Sequence, residues 1–293
     1  MKFDLPRIAA VRQPMSFYVA RAAILGLALG SALLVSACTD TEQEELKVDN
    51  TPPDQLYNDG LAAMQKGNSS EAIKKFEDLD RLAPYSELAR KSILLQAYTN
   101  FQRNAFTDAI TAAKRFITIY PQSDQVPYAY YLIAESYHKQ MPDVSRDQEM
   151  TQKALDAYMD VVTKFPTSKF APDAQQKAEA VRDQLAGKEM DIGRFYLRKR
   201  EFLAAINRFK VVVAKYQTTR HVEEALSRLV ECYYSLGVVP EAQTAAAVLG
   251  HNFPDSRWYK DSYALLQSGG YSPQEDKGSW ISKAFEGFSG FKL

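Results

Sequence analysis

The sequence predicts an all-α solenoid of five stacked helix pairs, and three regularities of spacing carry that expectation. Five times an alanine is followed twelve residues later by a helix-terminating position: Ala72 and Pro84, Ala109 and Pro121, Ala154 and Pro166, Ala205 and Gln217, Ala242 and Pro254. Two residues after each terminator stands a hydroxyl, at Ser86, Ser123, Ser168, Thr219 and Ser256. Eight after it stands a small residue, at Ser92, Ala129, Ala174, Ala225 and Ser262. A small residue lets the two helices of a pair approach closely, and proline stops the second helix because it cannot continue the hydrogen-bond ladder. The hydroxyl past the stop is a good N-cap for the next pair.

In chain order, residues 1–37 read as an export signal. Lys2, Arg7, Arg12 and Arg21 stand against Asp4 alone, and the apolar run from Ala22 to Val35 is 14 residues long. A spanning helix needs about 20, so the run fits a cleaved secretory signal. It ends on Val35-Ser36-Ala37-Cys38, which resembles a bacterial lipobox with Val where Leu is commoner. That resemblance implies lipidation of Cys38 as the first residue of the mature chain. Residues 38–52 are then an acidic tether. "TDTEQEELKVDNTPP", from Thr39 to Pro53, has five acidic residues, one lysine and no aromatic. It is too polar to fold alone and reaches about 50 Å when extended.

The helical body is expected over 53–170 for repeats one to three and 171–267 for repeats four and five. In the fourth unit, "MDIGRFYLRKREFLAAINRF", Gly193, Tyr196, Ala205 and Phe209 fall at the small, aromatic, small and aromatic positions of a tetratricopeptide repeat. Gly60, Ala72, Phe76 and Pro84 do the same in the first. The alanine spacings are 37, 45, 51 and 37 residues, against about 34 in the family. The second gap holds an insertion, "QMPDVSRD", in the third repeat. The third predicts a long first helix, from about Pro172 to Lys199. Gln217 in place of proline predicts a softer stop after the fourth pair.

In this geometry the first helix of each pair lines the concave wall. The candidate groove residues are Tyr57, Leu61 and Met64, then Lys91, Tyr98 and Phe101, then Tyr128, Tyr131 and His138; the fifth unit offers Tyr234. Aromatic side chains give large contact area at low entropy cost and suit extended apolar-aromatic peptides. Packing between repeats is the competing role for these tyrosines. The fourth repeat is cationic, with Arg194, Arg198, Lys199 and Arg200, then Arg208 and Lys210. Arg194 and Arg198 share one helix face. A solvated face and a docking patch for an acidic partner both fit this run, and the bidentate geometry of guanidinium makes Arg208 informative.

Composition removes several classes. Beyond residue 37 the chain has 32 Lys and Arg against 35 Asp and Glu, a net charge of −3, which argues against nucleic acid. The cysteines are Cys38 and Cys232, so with Cys38 lipidated no intramolecular disulfide forms, and Cys232 reads as a small buried filler. His138, His221 and His251 lie in different units without metal-ligand spacing, and "HVEEA" lacks the second histidine of a zinc-protease helix. The sequence predicts no enzyme, no metal and no cofactor. The tail, 268–293, opens on Gly-Gly and reads as flexible. Within it Ile281, Ala284, Phe285 and Phe288 have amphipathic helical spacing, which suits docking on a partner or a bilayer surface.

The lipobox, the five repeats, "PPDQLYNDGLAAMQKGNSSEAIKKFEDLDRLAPYS" after the tether, the "DVSRDQ" insertion and the "AAINRF" helix together resemble a known family. It is that of the tetratricopeptide lipoproteins of the bacterial outer-membrane β-barrel assembly (BAM) machinery, over about residues 38 to 267. The resemblance implies a non-enzymatic scaffold held by its lipid on the periplasmic face of the outer membrane. It implies N-terminal repeats that bind unfolded outer-membrane proteins, including their aromatic-ended signals. It further implies C-terminal repeats that dock on the POTRA domain of a BamA-type barrel protein, with Arg208 at the family's basic interface position, and other lipoproteins of the machinery as partners. Thr39 stands where an inner-membrane-retaining Asp is known in enteric bacteria. Adaptors of the Tol–Pal or cell-wall-synthesis systems share the "P-x-S" starts; the lipobox and insertion favour assembly. An envelope hydrolase has no catalytic constellation to stand on.

Cys38→Ala is expected to release the body from the membrane fraction into the soluble periplasm. Recovery with membranes at the wild-type level would count against lipid anchoring.

Overall fold

The computed structural model describes residues 51–286. The expected signal peptide, Cys38, nearly all of the tether and Phe288 lie outside the described residues. Twelve helices and no strand occur among those described. The first five pairs are α1 (Pro53–Gln65) with α2 (Ser69–Leu82), α3 (Glu87–Gln102) with α4 (Phe106–Ile119), α5 (Val126–His138) with α6 (Glu149–Lys164), α7 (Ala171–Arg198) with α8 (Phe202–Lys215), and α9 (Val222–Ser235) with α10 (Val239–Asn252). α11 (Arg257–Ser268) and α12 (Trp280–Phe285) follow. From α1 to α11 each helix packs on the next in sequence, as a solenoid requires, and first helices also touch one another, α1 on α3 and α3 on α5. No helix among the described residues is long and apolar enough to cross a membrane.

The five repeat alanines, Ala72, Ala109, Ala154, Ala205 and Ala242, are all fully buried. Beside them the two helices of a pair interlock by size. A Cβ added to Gly60 would stand 2.5 Å from Cε1 of Phe76, and one added to Gly193 would press closer still on Cε1 of Phe209. At the matching positions the second pair has Ala97 and Ala113, and the fifth has Val230 and Ala246, all buried, the two members of each couple in the same cluster. The third sets Ala134 against Tyr158. Where the second helix brings an aromatic ring the first recedes to glycine or alanine, and where it brings alanine the first can fill to valine. Burying one such phenylalanine stabilises the pair by about 1.5–3 kcal/mol.

The second helices stop at one geometry. Their C-caps, Ala83, Tyr120, Phe165, Tyr216 and Phe253, all have φ between −138° and −125° with positive ψ. That conformation lies outside the helical region, which a following proline disfavours for the residue before it. Tyr216 adopts it although Gln217 follows, so the stop after the fourth pair is as sharp as the others. Gln217 instead donates Nε2 to the Ala284 carbonyl, a bond proline cannot make. The hydroxyls divide. Ser86 and Ser256 accept from Ala89 and Trp258 backbone N–H and cap α3 and α11 directly. Ser123, Ser168 and Thr219 sit earlier, in a turn that precedes α5, α7 and α9, because their carbonyls accept from Val126, Ala171 and Val222 and delay the helix.

Within each pair except the third, the turn contains one left-handed residue: Gly67, Asn104, Arg200 and Gly237, with φ of 77°, 62°, 61° and 74°. Each stands five residues before its repeat alanine. In the third pair the insertion replaces this turn; Gln184 donates Nε2 to the Pro142 carbonyl and Lys188 donates Nζ to that of Ser145, which pins the loop against α7. α7 runs 28 residues, close to the expected span. Its first half, through Ala174, Ala178, Val181 and Leu185, completes the core of the third pair. Its second half, from Ala186 and Met190, enters the core of the fourth and fifth. Cys232 is fully buried in that core, and burial pushes its thiol up to about 12.

The segment expected to be flexible folds back on its own chain. Gln243 donates to the Ser272 carbonyl, Asp276 N–H to Thr244, Ser279 to Glu241 and the Trp280 indole to Tyr233. Ile281 is fully buried and Phe285 nearly so. The apolar face of α12 therefore covers α8 and α10 of the same molecule rather than a foreign surface.

The size complementarity is testable by exchange. Gly193→Val overpacks against Phe209 and should lower stability by about 1–3 kcal/mol, and Phe209→Ala by about 3–5 kcal/mol. The double variant reproduces the Val230–Ala246 pairing and should lose clearly less than the sum in urea unfolding. Simple additivity would refute the interlock.

Candidate functional site

Three first helices place four of the expected groove residues around one cavity of about 370 Å³. Tyr57 comes from α1, Lys91 and Tyr98 from α3, and Tyr128 from α5; Leu94, Leu95 and Gln125 complete the lining. Lys91, Leu94, Leu95 and Tyr98 lie at i, i+3, i+4 and i+7, so one stripe of α3 forms the back wall. Lys91 Nζ pairs with Glu87 at 2.9 Å. Burial pushes the Tyr128 phenol up to about 12, so it stays a neutral hydroxyl. The cavity offers aromatic faces, aliphatic area and a partly neutralised cation. That suits an extended chain with aromatic side chains better than a free metabolite.

The other five candidates are placed differently. Leu61 and Met64 pack partly buried on the Ala63, Ala72 and Phe76 cluster. Phe101 meets Phe106 edge-on across the turn of the second pair, with centroids 5.8 Å apart. Tyr131 stacks on Phe170 at 5.1 Å and donates its hydroxyl to Asp173. His138 Nδ1 lies 3.0 Å from the hydroxyl of the buried Tyr158, and burial lowers the imidazole below its ordinary value.

Tyr131, His138 and Tyr158 belong to a polar strut joining the third pair to α7. Lys177 Nζ donates to Glu135 at 2.6 Å and to the Tyr131 hydroxyl at 2.8 Å, and pairs with Asp173 at 3.1 Å. Tyr158 donates to Glu135 at 2.6 Å. Burial alone would lower the Lys177 ammonium, but its bonds to Glu135, Tyr131 and Asp173 outweigh it and hold the proton more tightly than usual. Tyr131 is pushed up to about 12 by burial and its bond to Asp173. Lys177, Glu135 and Phe170 escaped the sequence reading. Phe170 lies in the turn before α7, where no periodicity reaches, and the Lys177–Glu135 contact spans 42 residues.

The cationic candidates also separate. Arg194 makes a bidentate contact to Glu224, Nε at 2.9 Å and Nη2 at 2.5 Å, and a bond to Asp191 at 2.9 Å, which staples α7 to α9. Arg208 Nη1 lies 3.3 Å from Glu189 and stays about two-fifths exposed. Lys210 Nζ sits 4.7 Å over the Trp280 ring of the tail. Arg198 is exposed. No group of acidic, histidine or cysteine side chains suited to a metal occurs among the described residues.

Residues 49–249 match the family described as an outer membrane lipoprotein, YfiO. The chain is 43% identical over 260 residues to the outer membrane protein assembly factor BamD of Caulobacter vibrioides, covering 88% of this chain and 85% of that one. It is 43% identical over 213 residues to the BamD of Rickettsia prowazekii, covering 73% and 85%. The BamD of a Neisseria meningitidis serogroup A strain is 31% identical over 244 residues, covering 80% and 91%. Among solved structures, MamA aligns at 15% identity and a TM-score of 0.32, over 73% of this chain and 95% of its own. The TPR2AB domain of yeast Sti1 aligns at 14% and 0.38, over 74% and 84%. Superpositions that loose add nothing to the fold, which rests on the helix pairs themselves.

The strut should behave as one unit. Lys177→Met leaves Glu135 half-buried without its cation and should cost about 2 kcal/mol in chemical denaturation. The further change Glu135→Gln should recover part of that loss; equal effects in both backgrounds would show the contact to be idle.

Proposed function

Since the chain belongs to the outer membrane lipoprotein family matched above, alongside the BamD assembly factors, and serves in outer-membrane protein assembly, we propose that it is a non-enzymatic scaffold gripping two kinds of chain. Its N-terminal half, 53–170, binds unfolded β-barrel proteins along the wall carrying Tyr57, Leu61, Met64, Lys91, Tyr98, Phe101, Tyr128, Tyr131 and His138. Its C-terminal half, 171–267, docks on the POTRA domain of a BamA-type barrel protein, with Arg208 in the contact. Lipid on Cys38 holds the assembly at the periplasmic face of the outer membrane, beside the other lipoproteins of the machinery.

The observation that carries this reading is the cavity shared by Tyr57, Lys91, Tyr98 and Tyr128. It is open, aromatic and built from three successive repeats, so it can take side chains from an extended segment in sequence. An unfolded chain recognised this way contributes a few anchor residues, and the rest is tolerated. Arg208 supports the second half of the reading, because its guanidinium has one acceptor at 3.3 Å and room for another.

Photo-crosslinkers at Tyr57 and Tyr98 should capture newly exported barrel proteins, and a probe at the exposed Lys114 should not. Capture at Lys114 alone would move the substrate off this wall. Arg208→Glu should weaken co-purification of the BamA-type partner about tenfold; unchanged recovery after a high-salt wash would remove Arg208 from the contact.

A further inference from the structure

The turn joining α7 to α8, we infer, is a docking surface for an acidic, apolar-bearing segment of a partner protein, centred on Arg198, Lys199, Arg200 and Leu203. This deepens the reading that the fourth repeat faces a partner. Of the six cations the sequence offered for that role, Arg194 is taken up by Glu224 and Asp191, Arg208 meets Glu189, and Lys210 lies on Trp280. The free positive charge has moved to the tip. Arg198, Lys199 and Arg200 are all exposed and enter no ion pair among the described residues. Glu201, beside them, is the carboxylate of the same turn.

Three further features turn these charges into a receptor. Arg200 occupies the left-handed position that glycine fills at Gly67 and Gly237 in the first and fifth pairs. An arginine there is conformationally disfavoured, so this side chain stands at the tip at a backbone cost that glycine would not carry. Leu203, at 70% exposure, and Phe195, at 44%, are large apolar side chains left open on either side of the turn. Lys199 Nζ lies 4.4 Å over the Phe195 ring and sets charge beside the apolar face. Phe195 lines a cavity of about 380 Å³ together with Val144, Ser145, Lys188, Asp191, Ile192 and Tyr196, one wall of it being the insertion of the third repeat; its one carboxylate, Asp191, is already paired with Arg194 at 2.9 Å. A notch can seat a leucine or phenylalanine side chain, whereas a bilayer surface favours a convex apolar face. The unpaired cations of the adjoining turn select carboxylates on the incoming chain.

The test uses the full-length protein in detergent and a fluorescein-labelled twelve-residue peptide of glutamates with leucine and phenylalanine at helical spacing. Its controls are the same peptide with serine for the apolar residues, and phosphatidylglycerol vesicles. Binding by anisotropy should weaken about tenfold with Leu203→Ser and with Arg198→Glu, and by a few-fold with Arg200→Gly. Arg200→Gly should melt no lower than wild type, which separates loss of the side chain from loss of fold. Equal binding by the variants, equal binding of the serine peptide, or Leu203-dependent binding to the vesicles in place of the peptide would each overturn the proposal. A crosslinker at Leu203 should reach an acidic stretch of the co-purified BamA-type protein. If Arg208→Glu releases that protein while Leu203→Ser binds peptide like wild type, this surface falls and the proposed function stands. If Leu203→Ser loses the peptide while Arg208→Glu keeps its partner, this surface stands and the Arg208 contact falls.

Discussion

The structure depends on how closely the two helices of a pair approach, and that distance is set at one point. In the first and fourth pairs it is the face of a phenylalanine lying on a glycine that has no room for a single added carbon. The same point is alanine against tyrosine in the third pair and valine with alanine in the fifth. Dispersion falls off steeply with separation, so a pair held apart by one methyl would lose much of its contact energy. Each pair leaves one surface to be covered by the next, and the stack is stable because this is repeated. At the end of the fifth pair the covering is done by α11 and by the returning tail, which act as the polar-faced cap a solenoid needs.

That arrangement gives the groove. First helices that touch one another bring Tyr57, Lys91, Tyr98 and Tyr128 within reach of one incoming chain although the outermost two lie 71 residues apart in sequence. The same stacking ties down the polar ends of other residues along that wall. Tyr131 and His138 lie along the same helix as Tyr128, yet their polar ends are committed to Asp173 and Tyr158. The strut of Lys177, Glu135 and Tyr158 fixes the start of α7 against the third pair, and the rest of that 28-residue helix carries the fourth pair. One rod therefore relates the aromatic half to the cationic half, and a change in its seating would alter both.

The tail shows how a short segment changes the surface on offer. Trp280 covers Lys210, and α12 occupies the side of α8 and α10 that would otherwise stand bare. Gln217, at a position where the other pairs have proline, supplies one of the bonds that hold it. The departure from the repeat and the docking of the tail are two sides of one contact.

The sequence by itself determined the helix pairs, their order and number, the long α7 and the buried role of Cys232. Those features follow from local chemistry: proline stops, small residues at fixed spacing and helical periodicity act within a few turns. It also identified the stripe of α3 that backs the cavity, since Lys91 and Tyr98 share a face of one helix. It could not say which tyrosines stay open, which arginines are already paired, or that the tail closes on its own body. Arg194 and Glu224 are 30 residues apart and Trp280 and Tyr233 are 47. Such contacts depend on how far the stack turns from pair to pair, a sum of many small packing angles that no single stretch of chain encodes.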